Sequence, residues 1–193
     1  MPDDPSRRSR RTFIWVATGL AVLVVATCLA TAGDLVAGAV AASRYSARFS
    51  GLVMAAAVVA RAPRPVAWSR RRTELTFAFV AAHGVHLATV VLRALVEPGN
   101  KLRTFGLEVV VVVLLGVVLL AIVAGTAKAT SLTGRRVNAM AFYVAWTVLA
   151  LASATRARVS LASAVVLAVL GIAMLWRIGS GLAEGRVVPE VKT

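Results

Sequence analysis

Acidic residues are scarce in this chain: 8 Asp and Glu stand against 22 Lys and Arg over 193 residues, a formal net charge of +14. Cysteine occurs once, as Cys28, which excludes a disulfide within the chain and any CxxC or zinc-ligand pattern. Histidine occurs twice, as His83 and His86, both in one apolar run. No GxGxxG, Walker A or HExxH pattern is present, and no Ser-His-Asp set is credible with both histidines committed to one helix. Internal repeats and low-complexity segments are lacking too. What is abundant is apolar: 59% of residues are hydrophobic and the mean hydropathy is +0.82. Those values lie outside ordinary soluble domains. The positive charge does not point to nucleic acid, because the basic residues sit in short clusters between apolar runs, where they set membrane orientation. Membrane lipids are the expected surroundings, with some clusters meeting anionic headgroups.

A span needs about 20 residues, so the chain has room for several helices and little else. The reading is all-α: an integral membrane bundle of six transmembrane helices in one domain. A basic segment at 1–12 carries Arg7, Arg8, Arg10 and Arg11. The spans are expected at about 13–32, 45–62, 73–95, 105–127, 137–154 and 159–178, with a polar tail at 179–193. The first apolar run is too long for a typical signal core and more spans follow, so it reads as an uncleaved anchor. Residues 33–44 read as a connection with a short apolar patch. The region from Arg61 to Arg72, with five arginines and two prolines, reads as a basic loop. The Val109–Val113 run favours strand in water, but lipid admits only helices or closed barrels, and no period-2 alternation supports a barrel.

Six spans with both termini cytoplasmic place fifteen of the 22 Lys and Arg inside and seven outside. Removing the second span would invert the later loops and weaken that bias. The chain therefore reads as a multi-pass protein of the cell membrane.

A histidine within a span is expensive and is a functional-site hypothesis by default. His83 and His86, at i and i+3, share roughly one helix face. Counted from Thr73, they lie about 15 Å and about 20 Å deep in a hydrocarbon core of about 30 Å. Such imidazoles ligate haem iron, bind a metal, relay protons, or bond a Ser or Thr on a facing helix.

Three motifs carry a family likeness. Arg44-Tyr-Ser-Ala-Arg-Phe-Ser-Gly-Leu resembles an RYxARxTG pattern. The third run, RRRTELTFAFVAAHGVHLA, resembles RRxLGLxFAxxHxxHL. Leu132-Thr-Gly-Arg-Arg with the following AMAFYVAWTVLAL resembles LGxRWWRxLHxxxYxxW, matching at Gly134, Arg135, Arg136, Tyr143 and Trp146. Together these stretches, from about Arg44 to Trp176, resemble the ferric reductase-like transmembrane domain family, a six-helix haem-binding membrane module. The resemblance implies transmembrane electron transfer through haem b, ligated by His86 or His83, with electrons supplied by a separate flavin or quinol donor.

The likeness has a gap. The family holds haem between histidines of the third and fifth spans, and the fifth span here has none: Asn138 or Ala139 aligns at the LH position, and Ala152 and Ser153 lie further along. His83 and His86 cannot bracket one haem from the same helix. Depth counting puts Met54 about 18 Å from the inner surface, level with the histidines, as a candidate second ligand. Cys28 falls near the same height at about 22 Å, and a homodimer pairing two copies of His86 is another route. Arg93, two turns beyond His86, is placed to pair with haem propionates, or simply snorkels at the interface. Arg70, Arg71 and Arg72 are expected to fix topology, and Trp68, Tyr143 and Trp176 to serve as interfacial or packing aromatics. The alternative function is a haem-free membrane scaffold or partner subunit that has lost the redox site.

Overall fold

The computed structural model describes residues 5–60, 71–97, 102–127, 131–157 and 160–185. These form six helices and, among the described residues, no strand: α1 (Pro5–Thr31), α2 (Leu35–Val59), α3 (Arg72–Val96), α4 (Leu102–Ala127), α5 (Leu132–Ala157) and α6 (Leu161–Gly185). The basic loop expected over 61–72 lies mostly outside the described residues, together with Trp68 and Arg70, and so does the end of the tail from 186 onward.

Each helix has 25 to 27 residues, about 38–40 Å of rise, against a hydrocarbon core of about 30 Å. Four segments are long and apolar enough to cross a membrane: Arg11–Thr31, Arg72–Val96, Leu132–Ala157 and Leu161–Ser180. In α4 the apolar stretch Val110–Thr126 is shorter. α2 does not reach the same hydropathy, because Arg44, Arg48 and three serines dilute it.

The connection expected over 33–44 is not one. Only residues 32–34 join α1 to α2, and helix begins at Leu35. Asp34 is the reason: its side chain accepts a hydrogen bond from the Ala37 N–H at 2.8 Å, and its carbonyl accepts from Gly38 N–H at 3.0 Å. Gly38 then lets the two helices close on one another. A Cβ there would stand 3.1 Å from Leu29 Cδ2 and 3.2 Å from Ala32 Cβ. At the other end of the chain, residues 179–185, read as tail, continue α6. The Ser180 hydroxyl folds back onto the carbonyls of Trp176 and Arg177 at 2.9 and 3.0 Å.

The packing order closes into a ring. α2 packs on α3, α3 on α4, α4 on α5, α5 on α6 and α6 back on α2, while α1 lies outside the ring against α2 and α3. The ring encloses an apolar core in which Met54, Phe79, Ile122, Phe142 and Leu170 are all 0% exposed. α2 therefore has α1, α3 and α6 around it. Its buried residues are mostly small (Gly38, Ala39, Ala42, Ser43, Ser46, Ser50, Gly51), which brings neighbouring backbones close. Exposed apolar residues are found elsewhere: Val110, Val113, Leu114, Val117 and Leu120 on α4 form an apolar outer face.

Candidate functional site

The two histidines face α2. Ser50 Oγ lies 2.7 Å from His83 Nδ1, and Ser46 Oγ lies 3.1 Å from His86 Nδ1. Thr89, one turn beyond His86 on α3, joins the second pair: its hydroxyl lies 3.0 Å from Ser46 Oγ and donates to the His86 carbonyl at 2.7 Å. Ser46, Ser50, His83 and Thr89 are all buried. The result is a polar seam between α2 and α3, built from serines at i, i+4 on one helix and histidines at i, i+3 on the other. Neither serine matched a catalytic pattern, and their pairing with the histidines becomes visible only with the antiparallel register of the two helices.

A hydroxyl has one proton to donate, and Ser46 Oγ has three neighbours to share it among: the Ser43 carbonyl at 3.4 Å, Thr89 Oγ1 at 3.0 Å and His86 Nδ1 at 3.1 Å. Either neutral tautomer of His86 satisfies these contacts. A polar partner on one ring nitrogen is also how ligating histidines are oriented.

The rings themselves stack along α3. His83 lies 5.3 Å from His86 and 5.4 Å from Phe79, centroid to centroid. Phe79 meets Phe142 of α5 edge-on at 6.2 Å. α3 and α5 run in the same direction around the ring, so with Phe79 opposite Phe142, Trp146 stands level with His83 and Leu149 level with His86. Neither is a ligand. Trp146 instead points its Nε1–H at the Leu170 carbonyl of α6 at 3.4 Å, and Leu149 is buried in the apolar core.

The structure places the other candidates as follows. The Ser50–His83 pairing puts Met54, one turn further along α2, level with Phe79 rather than with the histidines. Depth counting from span ends missed this turn because α2 begins ten residues before the expected span. Met54 is enclosed in the apolar core. Cys28 is half-buried on α1, outside the ring. Arg93 pairs with Glu97 at 2.9 Å, an i, i+4 contact at the end of α3. Arg71 extends its guanidinium over Phe13 at 5.5 Å, tying the start of α3 to α1. Tyr143 lies under the Arg177 guanidinium at 4.8 Å, and Trp176 is half exposed. Among the described residues no group of three or more His, Cys, Asp and Glu converges as a metal site.

Tested against this geometry, a haem held between α3 and α5 does not fit. His86 meets the requirement for one axial ligand, but the facing positions offer none, and the Phe79–Phe142 pair spans the space between the two helices. No protein-family model, curated protein or solved structure matches the chain.

Proposed function

We propose that this chain is a six-span membrane subunit of ferric reductase-like type that has lost the redox site and serves as a haem-free scaffold for a partner in the cell membrane. The observation that supports it best is the seam: both histidine Nδ1 atoms are engaged with serines of α2. On this reading the histidines hold a polar helix inside the bundle. Interhelical hydrogen bonds of this kind contribute about 1 kcal/mol each in lipid. The positive-inside distribution supports cytoplasmic placement of the arginine-rich start of α1 and of the basic residues at and after the end of α6, with α2 crossing as the second span.

A second reading is favoured by the Ser46–His86 contact. With Nδ1 oriented by a neighbouring hydroxyl, as ligating histidines are, His86 is the residue that would ligate haem b in an electron-transfer subunit fed by a separate flavin or quinol donor. The two readings separate in a visible spectrum of the purified protein, oxidised and then reduced, after expression with ample haem. The scaffold reading expects no b-type band. A stoichiometric band lost in His86→Ala would replace it with the electron-transfer reading.

A further inference from the structure

Four arginines gather at one end of the bundle. Arg44 and Arg48 lie one turn apart on α2, Arg93 sits in the last turn of α3, and Arg156 in the last turn of α5. The Arg156 guanidinium is within coulombic reach of Arg93, Arg44 and Arg48 together, and of His86. Among the described residues, Glu97 is the one carboxylate paired with any of them. α6 adds to the positive field. It starts at this point, with Ser160 Oγ accepting from Ser163 N–H at 3.4 Å and the Ser160 carbonyl accepting from Ala164 N–H at 3.0 Å, so its N-terminal dipole end faces the same place. Arg48 is held there by a 2.7 Å hydrogen bond to Ser160 Oγ. Four cations drawn from three helices repel one another, and an anion bound between them offsets that repulsion.

We infer that this cluster binds the phosphate of an anionic phospholipid. The inference rests on the membrane reading but is independent of whether haem is bound. Three observations favour a lipid over a soluble phosphate. The cluster stands where α5 ends and α6 begins, the level at which a membrane surface meets a helix pair. Arg44, Arg48 and Leu52 form one i, i+4, i+8 stripe on α2, and Leu52 (46% exposed) and Leu161 (83% exposed) offer apolar surface beside the charges for acyl chains. Tyr45, 52% exposed, lies with its ring 5.0 Å from the Arg48 guanidinium, as aromatics do at headgroup level. The cluster also accounts for most of the cations that the six-span topology leaves on the outer side: four of the seven are here.

The test uses the full chain in detergent, titrated with phosphatidylglycerol and, separately, phosphatidylcholine, with bound lipid counted by native mass spectrometry. One phosphatidylglycerol is expected to be retained more tightly than phosphatidylcholine. Arg156→Gln should weaken it about fivefold, and Arg44→Gln with Arg156→Gln about 25-fold. Both side chains are exposed, so the fold is expected to survive, which a melting curve on the same samples verifies. Arg136→Gln, in the second turn of α5 at the opposite end of that helix from Arg156, should leave binding unchanged. Equal retention by the parent chain and the double variant would overturn the proposal. Displacement of the lipid by millimolar inorganic phosphate would assign the site to a soluble anion and overturn the lipid assignment.

Discussion

Ser50 and His83 are each buried, and each is the other's polar partner across the α2–α3 contact. Removing one leaves the other unsatisfied, which costs more than the net value of the bond itself. Ser50→Ala is therefore expected to destabilise the protein by about 1–2 kcal/mol. In a double-mutant cycle with His83→Ala, the coupling should be about 1 kcal/mol. Unfolding in mixed micelles measures both quantities, and additive losses would show that the pair does not hold α2 to α3. Histidine positions were legible from sequence, since an intramembrane imidazole is conspicuous by cost alone. Their partners were not. Serine is common in membrane helices, and nothing in a single sequence says which of several serines on α2 meets a ring on α3. A shift of one turn in register separates Met54 from the histidines and brings Ser50 to them instead.

At the scale of the elements, close packing between neighbours depends on a few small residues. Gly125 is the tightest: a Cβ there would lie 2.7 Å from both the Cβ and the backbone N of Asn138 on α5. Asn138 is fixed in place by donating from Nδ2 to the Ile122 carbonyl at 2.7 Å and to the Thr126 hydroxyl. Gly125→Ala must push α4 and α5 apart and is expected to cost about 1–3 kcal/mol. Gly116→Ala, on the same helix with nothing within 4 Å, should be neutral. Thermal unfolding of the two variants side by side separates a packing effect from a general effect of glycine replacement. The Asn138 amide locks α5 to α4 through a backbone carbonyl. The existence of all six helices followed from hydropathy and length. The start of α2 did not, because the apolar patch at 35–43 is short and only the Asp34 cap turns it into the first turns of a helix.

On the whole-molecule scale, the ring of five helices with α1 outside gives α2 a sheltered position, and its composition matches that position. A helix wrapped by three others can carry serines and arginines that a lipid-facing helix could not, since its polar side is turned toward histidines and a neighbouring helix terminus. Hydropathy, which sums over all faces, undercounts such a helix, and that is why α2 falls below the threshold its neighbours pass. Whether α2 crosses determines the side of every later connection. The most direct measurement is labelling of Ser131→Cys in a Cys28→Ala background with a membrane-impermeant thiol reagent on intact cells. Ser131 is exposed in the connection before α5, so the site is reachable by reagent wherever it lies. The proposed six-span topology, with α2 crossing and the N-terminus inside, puts residue 131 in the cytoplasm, so labelling should appear only after the cells are lysed. Labelling of intact cells would put residue 131 outside and contradict the proposed topology.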